Sequence, residues 1–567
     1  MHSGNRWIVS ARVGCSAIGF GGLMVMGSGS ALAQTQVPSQ GEISRERLKL
    51  PPVESPRFSL RIQAPDRSAV PKAIDAVEFQ LDDVVVEGAT AFPKDVIDGY
   101  FAKVKGKRVG LAAVREAALA LEGFYRDRGY FLTRVFIAPQ PVTNSMIKVT
   151  VIEGFIEDVT VEGLDEGTRN AVRSALLPLL ERKPIDLPTL ERRLLVLNDM
   201  PGISGTSVLR PGTQIGGSSL IVTLDAPADG VQFAVNNAAS RILGPWNYAL
   251  NANLNRPFNL PGSFNVGISA GGRDLKSVQT ISGRYSVGIG NNGLITSFGI
   301  LAAKAEPGGT VRPLEIRNML LSFSARARYP IVRSRSLSLF LEGGLSVNRS
   351  DTDILGQPLI RDRTTVLDGG LSLQQNGWLD GATTLSGSIY QGLPIFGAIG
   401  VASPAPSTLN FDPDFTRFTY SLQRQQKLPG RFSGLFAFQG QFTNSKLLSG
   451  ELVSFGGQSI GRGFDPSSIT GDRGYGGLIE LRYDLPITKA WLTNAQFYGF
   501  IDGARTISIA TVAIPKSTQS IRSAGGGVRV AHRYGVVDFQ VAYAHRQLGG
   551  ADERANPRAL ISAVFAY

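Results

Sequence analysis

From about residue 230 to residue 567 the chain repeats one pattern, an alternation of apolar and polar residues in runs too short for amphipathic helices, and this restricts its possible folds more than any other feature. In Leu321-Ser322-Phe323-Ser324-Ala325-Arg326-Ala327-Arg328-Tyr329 every odd position is apolar and every even one polar. Successive side chains on a strand point to opposite sides, so such a segment has one greasy face and one wet face. The pattern recurs at 432–442, 479–483 and 537–543, with aromatic residues near the strand ends. Recurrence over strand after strand predicts a transmembrane barrel, apolar toward lipid and polar toward the lumen. No later run of about 18 apolar residues supplies a spanning helix, and a closed barrel is the other way to cross a bilayer. About 340 residues remain for it, enough for about sixteen antiparallel strands of about ten membrane residues each, plus turns. The last strand, 560–567, puts Ile561, Ala563, Phe565 and Tyr567 on one face and ends on an aromatic ring, as a barrel's C-terminal signal would.

The beginning of the chain reads differently. Arg6 and Arg12, an apolar stretch at 18–26 and Ala31-Leu32-Ala33 before Gln34 predict a secretory signal over 1–33. It contains Cys15, the single cysteine, so neither a disulfide framework nor a thiolate metal site is expected after export. Residues 34–75 are rich in proline and polar residues and read as a linker. A short helix is expected at 43–50, stopped by Pro51-Pro52. The formal charge of +12 is scattered along the chain, which argues against a nucleic-acid partner.

Between these regions lies an internal repeat. Over 76–154 the signals run strand, helix, helix, strand, strand: a strand at 79–86, a helix opened by Pro93, a helix with Leu111, Val114, Ala118 and Leu121 on one stripe, then a hairpin at 130–137 and 146–152. The order returns over 155–228: a strand at 156–161, a helix through 176–180, a helix from Pro188 with Leu190, Leu194 and Leu197, then strands at 205–209 and 219–224.

Apparent catalytic motifs lack their context. Gly457-Gln458-Ser459-Ile460-Gly461 and Gly267-Ile268-Ser269-Ala270-Gly271 match the nucleophile-elbow pattern, but neither joins a strand to a helix. His532 and His545, the histidines left after export, both fall on candidate barrel strands. Gly288-Ile289-Gly290-Asn291-Asn292-Gly293 matches a dinucleotide fingerprint by letters and reads as a hairpin turn. No catalytic residue, cofactor or metal is expected.

One constellation stands out: Gly461-Arg462-Gly463-Phe464 together with Phe500-Ile501-Asp502-Gly503. Alternation over 495–502 turns Asp502 to the lumen, and Arg462 lies in a long glycine-rich connection able to fold back on itself. A guanidinium on a loop folded into the pore would suit a luminal carboxylate. Spacing alone leaves this open and favours a solvated arginine.

Two βααββ units, the Gly-Arg-Gly-Phe loop, the Phe-x-Asp-Gly strand and the C-terminal aromatic strand together resemble the two-partner secretion transporters, the haemolysin secretion/activation proteins of the outer-membrane polypeptide-transport superfamily. The stretches Leu197-Asn198-Asp199-Met200-Pro201-Gly202, Leu209-Arg210-Pro211-Gly212 and Gly217-Ser218-Ser219-Leu220 are similar to that family's second POTRA domain. The loop departs in one place, with Gly461 where the family usually has Val or another apolar residue. The resemblance implies POTRA domains at 76–154 and 155–228 and a barrel of sixteen strands over 229–567. It also implies a pore loop in which Arg462 locks onto Asp502 with Gly461, Gly463 and Phe464 around it. An unfolded secreted β-rich exoprotein, an adhesin or haemolysin, would be received in the periplasm and exported through the pore. Strand addition at Phe131, Val135 and Ile137, beside the stripe of Leu111, Val114 and Ala118, would take that partner, although the stripe also reads as domain core. Further expected partners are outer-membrane lipid and lipopolysaccharide, and periplasmic chaperones and the barrel-assembly machinery during biogenesis. A barrel insertase of the same superfamily and a porin-like channel are the rival readings.

Overall fold

The computed structural model describes residues 59–62, 78–140, 145–272, 274–401, 403–489, 492–511, 515–548 and 557–567. The expected signal at 1–33 and helix at 43–50 lie outside them. The chain divides into two units near Pro227, taken here in turn.

In the first unit, β1 (Ser59–Ile62) falls within the span read as linker and joins the second domain's sheet. The first domain contains β2 (Glu78–Leu81), β3 (Asp83–Glu87), α1 (Lys94–Gly99), β4 (Lys107–Gly110), α2 (Leu111–Asp127), β5 (Arg134–Phe136) and β6 (Met146–Ile152). Its sheet has the order β3-β6-β5, with β3 parallel and β5 antiparallel to β6. The second contains β7 (Phe155–Glu162), α3 (Glu166–Leu176), α4 (Leu187–Asn198), β8 (Ser204–Pro211) and β9 (Gly217–Asp225), in the sheet order β1-β8-β9-β7.

The chain leaves β3 and β7 through the same tripeptide, Val86-Glu87-Gly88 and Val161-Glu162-Gly163. Gly88 and Gly163 have φ of +85° and +83°, and a Cβ on either would sit 2.2 Å from a carbonyl oxygen, that of Val151 or Leu224. Only glycine fits such a left-handed turn against a neighbouring strand. In the second domain both helices are capped alike: Asp165 accepts the Thr168 N–H at 2.9 Å and Asp186 the Thr189 N–H at 2.8 Å, each cap stabilising by about 1 kcal/mol.

The α2 stripe answers its spacing. Val114, Ala118, Leu121 and Tyr125 are fully buried against Leu81, Ile97, Phe101, Ile147 and Val149, and each large aliphatic chain buried this way stabilises by roughly 1.5–3 kcal/mol. Three expectations need correction. The strand expected at 79–86 is two strands with different partners, because the chain breaks at Asp82, whose N–H bonds the Ser145 carbonyl; β2 pairs with β4, a strand not anticipated. The strand expected at 130–137 shrinks to β5, since turn bonds from Tyr130 and Phe131 hold the preceding residues and direct Phe131 onto the second domain's core. The second-domain helix expected through 176–180 ends at Leu176 and tightens into a short 3-10 turn, Leu177–Leu179, at Pro178.

The second unit is a closed antiparallel barrel of sixteen strands among the described residues. Its first half comprises β10 (Gly230–Asn236), β11 (Asn247–Asn255), β12 (Ser263–Gly271), β13 (Val278–Ile289), β14 (Leu294–Ala305), β15 (Arg317–Arg333), β16 (Leu337–Ile354) and β17 (Gln357–Asn376). Next come β18 (Gly381–Gly392), β19 (Thr416–Lys427) and β20 (Phe432–Thr443). A short hairpin within one long loop, β21 (Val453–Phe455) and β22 (Ile469–Gly471), lies outside the cylinder's strand order. The wall resumes with β23 (Arg473–Lys489), β24 (Leu492–Ser508), β25 (Ser517–His532), β26 (Gly535–Leu548) and β27 (Arg558–Ala566), which returns to β10.

Alternation sets the two faces. Phe323 on β15, Leu341 on β16, Leu371 on β17, Ile479 on β23, Ile501 on β24 and Phe539 on β26 are exposed on the outside, as a lipid-facing belt requires. Ser324, Asn348, Asp368, Glu480 and Asp502 lie on the other face. Val231 and Tyr567 exchange both backbone hydrogen bonds, at 3.0 and 2.9 Å, so the last residue helps to close the wall. Phe565 lies opposite Phe233 across the same junction, and the Tyr567 ring stacks on Tyr534 with centroids 5.7 Å apart.

Ile501→Arg, near the middle of β24, is expected to destabilise the inserted barrel by about 2–4 kcal/mol, whereas Gln425→Arg on the wet face of β19 leaves it unchanged. Urea titration in lipid, read by loss of the compact electrophoretic band, checks both.

Candidate functional site

Residues 444–472, between β20 and β23, fold into the lumen. Val453, Phe455, Ile460, Phe464 and Ile469 of this loop form one buried cluster with Leu435, Leu478, Tyr498, Phe500, Ala504, Ile521 and Ala542 of the wall. These wall residues occupy inward positions, so the loop carries its own apolar core against β20 and β23 to β26. The base of the loop is tied by polar contacts. Glu451 accepts Arg417 Nη2 of β19 at 2.9 Å. The fully buried Asp472 accepts the Leu447 N–H at 2.9 Å, Lys446 Nζ at 2.8 Å and the Ile509 N–H at 2.7 Å.

At the tip, Gly461 has φ +89°, and a Cβ there would lie 2.5 Å from Ile521 Cδ1. Glycine alone readily takes this left-handed turn so close to the wall. Gly463 lies flat on β26, where a Cβ would come within 2.6 Å of the Ala544 nitrogen. The turn presents two N–H groups to the Asp502 carboxylate: Gly461 N donates to Oδ1 at 2.9 Å and Arg462 N to Oδ2 at 3.3 Å. Ser523 Oγ donates to the same carboxylate.

The Arg462 guanidinium goes elsewhere, which corrects the expected side-chain pair with Asp502. With the Arg462 backbone already against Asp502, the long side chain runs along the wall over the Phe500 ring, 4.3 Å from its centroid, and Nη1 donates to Glu480 Oε2 at 2.8 Å. Glu480 sits opposite Phe500 on β23, one wet-face row from Asp502. Its other oxygen accepts Arg482 Nε at 2.7 Å and Arg529 Nη1 at 2.9 Å. Arg529 continues to Asp538, Nε to Oδ2 at 2.9 Å, over the Tyr498 ring. Arg462, Arg482 and Arg529 thus face Glu480, Asp502 and Asp538, formally balanced and largely out of contact with water, the condition under which such groups survive burial.

Glu480, Arg482, Arg529 and Asp538 were not singled out in the sequence, although alternation around Ile479, Leu481 and Tyr483 already places Glu480 and Arg482 on the wet face. The residues suggested for partner contact are not brought together at a surface. Val114 and Ala118 are buried in the first domain's core with Leu111 packed beside them, so they offer no accessible stripe, and Phe131 packs on the core of the second. Val135 is buried and Ile137 packs against the first core; on β5 itself Phe136 is the exposed side chain. Gly457 to Gly461 lies in the loop tip and Gly267 to Gly271 on β12, neither at a strand-to-helix turn, and residues 290–293 form the β13–β14 turn. No metal-binding group of His, Cys, Asp and Glu occurs among the described residues.

Residues 216–530 match the haemolysin secretion/activation proteins ShlB/FhaC/HecB, and residues 79–154 match the ShlB-type POTRA domain. The heme/hemopexin transporter protein HuxB of Haemophilus influenzae is 22% identical over 537 residues, covering 89% of this chain and 90% of that protein. The hemolysin transporter protein ShlB of Serratia marcescens is 24% identical over 442 residues, 74% of each. Among solved structures, CdiB from Escherichia coli superposes with a TM-score of 0.69 at 19% identity, over 89% of this chain and 93% of that one, a likeness of fold.

Glu480→Gln strands three guanidiniums around a neutral amide and is expected to destabilise the barrel by about 3–5 kcal/mol. Adding Arg482→Met to that background should recover part of the loss. Equilibrium unfolding of the single and double variants measures both; a neutral Glu480→Gln would contradict the charge-cluster account.

Proposed function

The chain belongs to the haemolysin secretion/activation protein family, and we propose that it exports one large β-rich exoprotein, an adhesin or haemolysin, with the luminal loop as its gate. It is an outer-membrane translocator of the two-partner secretion type: POTRA domains on the periplasmic side receive a secreted partner, and the sixteen-stranded barrel conducts it. The family is one of transporters. This chain performs no chemistry on its cargo and needs no cofactor.

One observation carries the gating proposal: residues 444–472 fill part of the lumen and are pinned at their tip by Asp502 and Glu480. A polypeptide on its way through has to displace that tip. The polar contacts to be broken are charge-assisted hydrogen bonds, whose groups water in an open pore solvates readily, and Ile460 and Phe464 leave their apolar cluster on the wall. No nucleotide is required; folding of the cargo outside the cell biases its movement outward.

For reception, β5 is an edge strand of the first POTRA sheet among the described residues, one side bonded to β6. Strand addition along it would leave Val135 in the core and set Phe136 against the incoming chain. Outer-membrane lipid and lipopolysaccharide surround the barrel, and periplasmic chaperones and the barrel-assembly machinery serve it during biogenesis.

Deleting the gene should remove one protein from the cell surface or the culture medium while other outer-membrane barrels assemble normally; general assembly failure would favour an insertase. Arg462→Ala removes a buried charge-assisted contact and frees the tip to settle elsewhere in the lumen. Secretion is expected to fall by more than about tenfold with the barrel still inserted, and unchanged secretion would defeat the gating proposal.

A further inference from the structure

The tip of the pore loop also reaches the junction where the barrel closes on itself. Among the described residues the regular ladder between β10 and β27 has five residue pairs, from Gln232↔Ala566 to Asn236↔Ser562, with the mutual bonds of Val231 and Tyr567 at one end; it is the shortest ladder in the wall, against eighteen pairs between β16 and β17. Beyond Asn236 the ladder passes to a side chain. Asn237 donates its backbone N–H to the Ile561 carbonyl at 3.2 Å and its Nδ2 to the Ala559 carbonyl at 3.0 Å, while its Oδ1 accepts the Ile561 N–H at 2.8 Å. A carboxamide carries one acceptor and two donors, so it stands in for a strand residue.

One step further, at the first residue of β27, the partner is the loop. Arg558 Nη1 donates to the Phe464 carbonyl, and Arg558 Nη2 lies 3.3 Å from Asp465 Oδ1. The same carboxylate oxygen lies 3.6 Å from Arg241 Nε, in the connection that follows β10. The two arginines belong to opposite sides of the junction. The Arg558 side chain is 8% exposed and that of Arg241 61%, so the Arg558 contact is the stronger of the two.

We propose that Asp465 is a positioning residue that clasps the barrel junction: with the loop seated, its carboxylate bridges Arg558 on the last strand and Arg241 just beyond the first, holding the outer end of the β10–β27 ladder. Displacing the loop would then loosen the least-paired junction of the wall at the moment a chain enters. That consequence rests on the gating proposal; the clasp itself rests on the contacts just described.

The test uses the full chain in detergent and reads the temperature at which the compact electrophoretic band converts to the unfolded one. Asp465→Asn is expected to lower it by at least about 3 °C. A second background carries Ala234→Cys and Val564→Cys, which face each other across the junction. Val231 and Tyr567 are a hydrogen-bonded pair, so by alternation this pair is not, with Cα atoms about 4.5 Å apart, within the roughly 4.4–6.8 Å range of a disulfide. With that disulfide formed, Asp465→Asn should change nothing further, and after reduction the drop should return. Arg558→Gln, which keeps a donor for the Phe464 carbonyl, should show the same dependence and serves if Asp465→Asn does not fold. An equal drop with the disulfide formed or reduced, or no drop in either state, overturns the clasp. Export is not read, so failure here leaves the gating proposal standing, and an unchanged secretion by Arg462→Ala leaves the clasp standing.

Discussion

Hydrocarbon offers no hydrogen bonds, so every backbone N–H and carbonyl crossing the bilayer has to find its partner within the protein, and this requirement organises the second unit of the chain. It forbids an open sheet edge and forces β27 back onto β10, down to the mutual bonds of Val231 and Tyr567. It also sorts side chains. With the outer face given over to Phe323, Ile479, Ile501 and their neighbours, the polar half of each strand accumulates inside, and the lumen becomes a place where charged groups can be held.

The loop at 444–472 uses that interior. Its apolar residues cover the wall's inward aromatics, and its tip is fixed by Asp502 through backbone N–H groups and by Glu480 through Arg462. A well-packed apolar contact would hold a permanent plug at least as well, because desolvation offsets much of the attraction between buried charges. A charged anchor differs in how it lets go. Once water enters, carboxylates and guanidiniums are solvated rather than left exposed as grease, so seated and released states lie closer in free energy. The base of the loop, held by Arg417, Glu451 and Asp472, keeps its place in the chain's geometry while the tip has a separate set of contacts.

Much of this was readable before any coordinates. Alternation disclosed the barrel and its inward face because a strand's two-residue period is rigid, and it turned Asp502 to the lumen correctly. The two βααββ units were legible from the helical stripe of Val114, Ala118 and Leu121 and from its counterpart at Leu190, Leu194 and Leu197. Interactions set by reach across space were not legible. Arg462 was expected on Asp502, but a side chain whose backbone already occupies that carboxylate reaches one row further, to Glu480, and strand register rather than spacing decides which residue waits there. Phe131 was read as strand because its neighbours alternate, yet the turn after Gly129 sends it into the next domain. The stripe of Val114 and Ala118 admitted both a core and a docking reading, and it is core: amphipathic spacing says that a face is covered, not by what.

The central claim is that the loop tip is seated in the lumen at rest and leaves it when a chain passes. Hydrogen exchange across residues 456–468, followed in membrane-embedded protein at rest and with a partner stalled in the pore, tests it directly. Slow exchange at the Gly461 and Arg462 amides at rest, comparable to that of the barrel strands, and fast exchange in the stalled complex is the predicted outcome. Fast exchange at rest, or protection that persists with a chain in the pore, would contradict it.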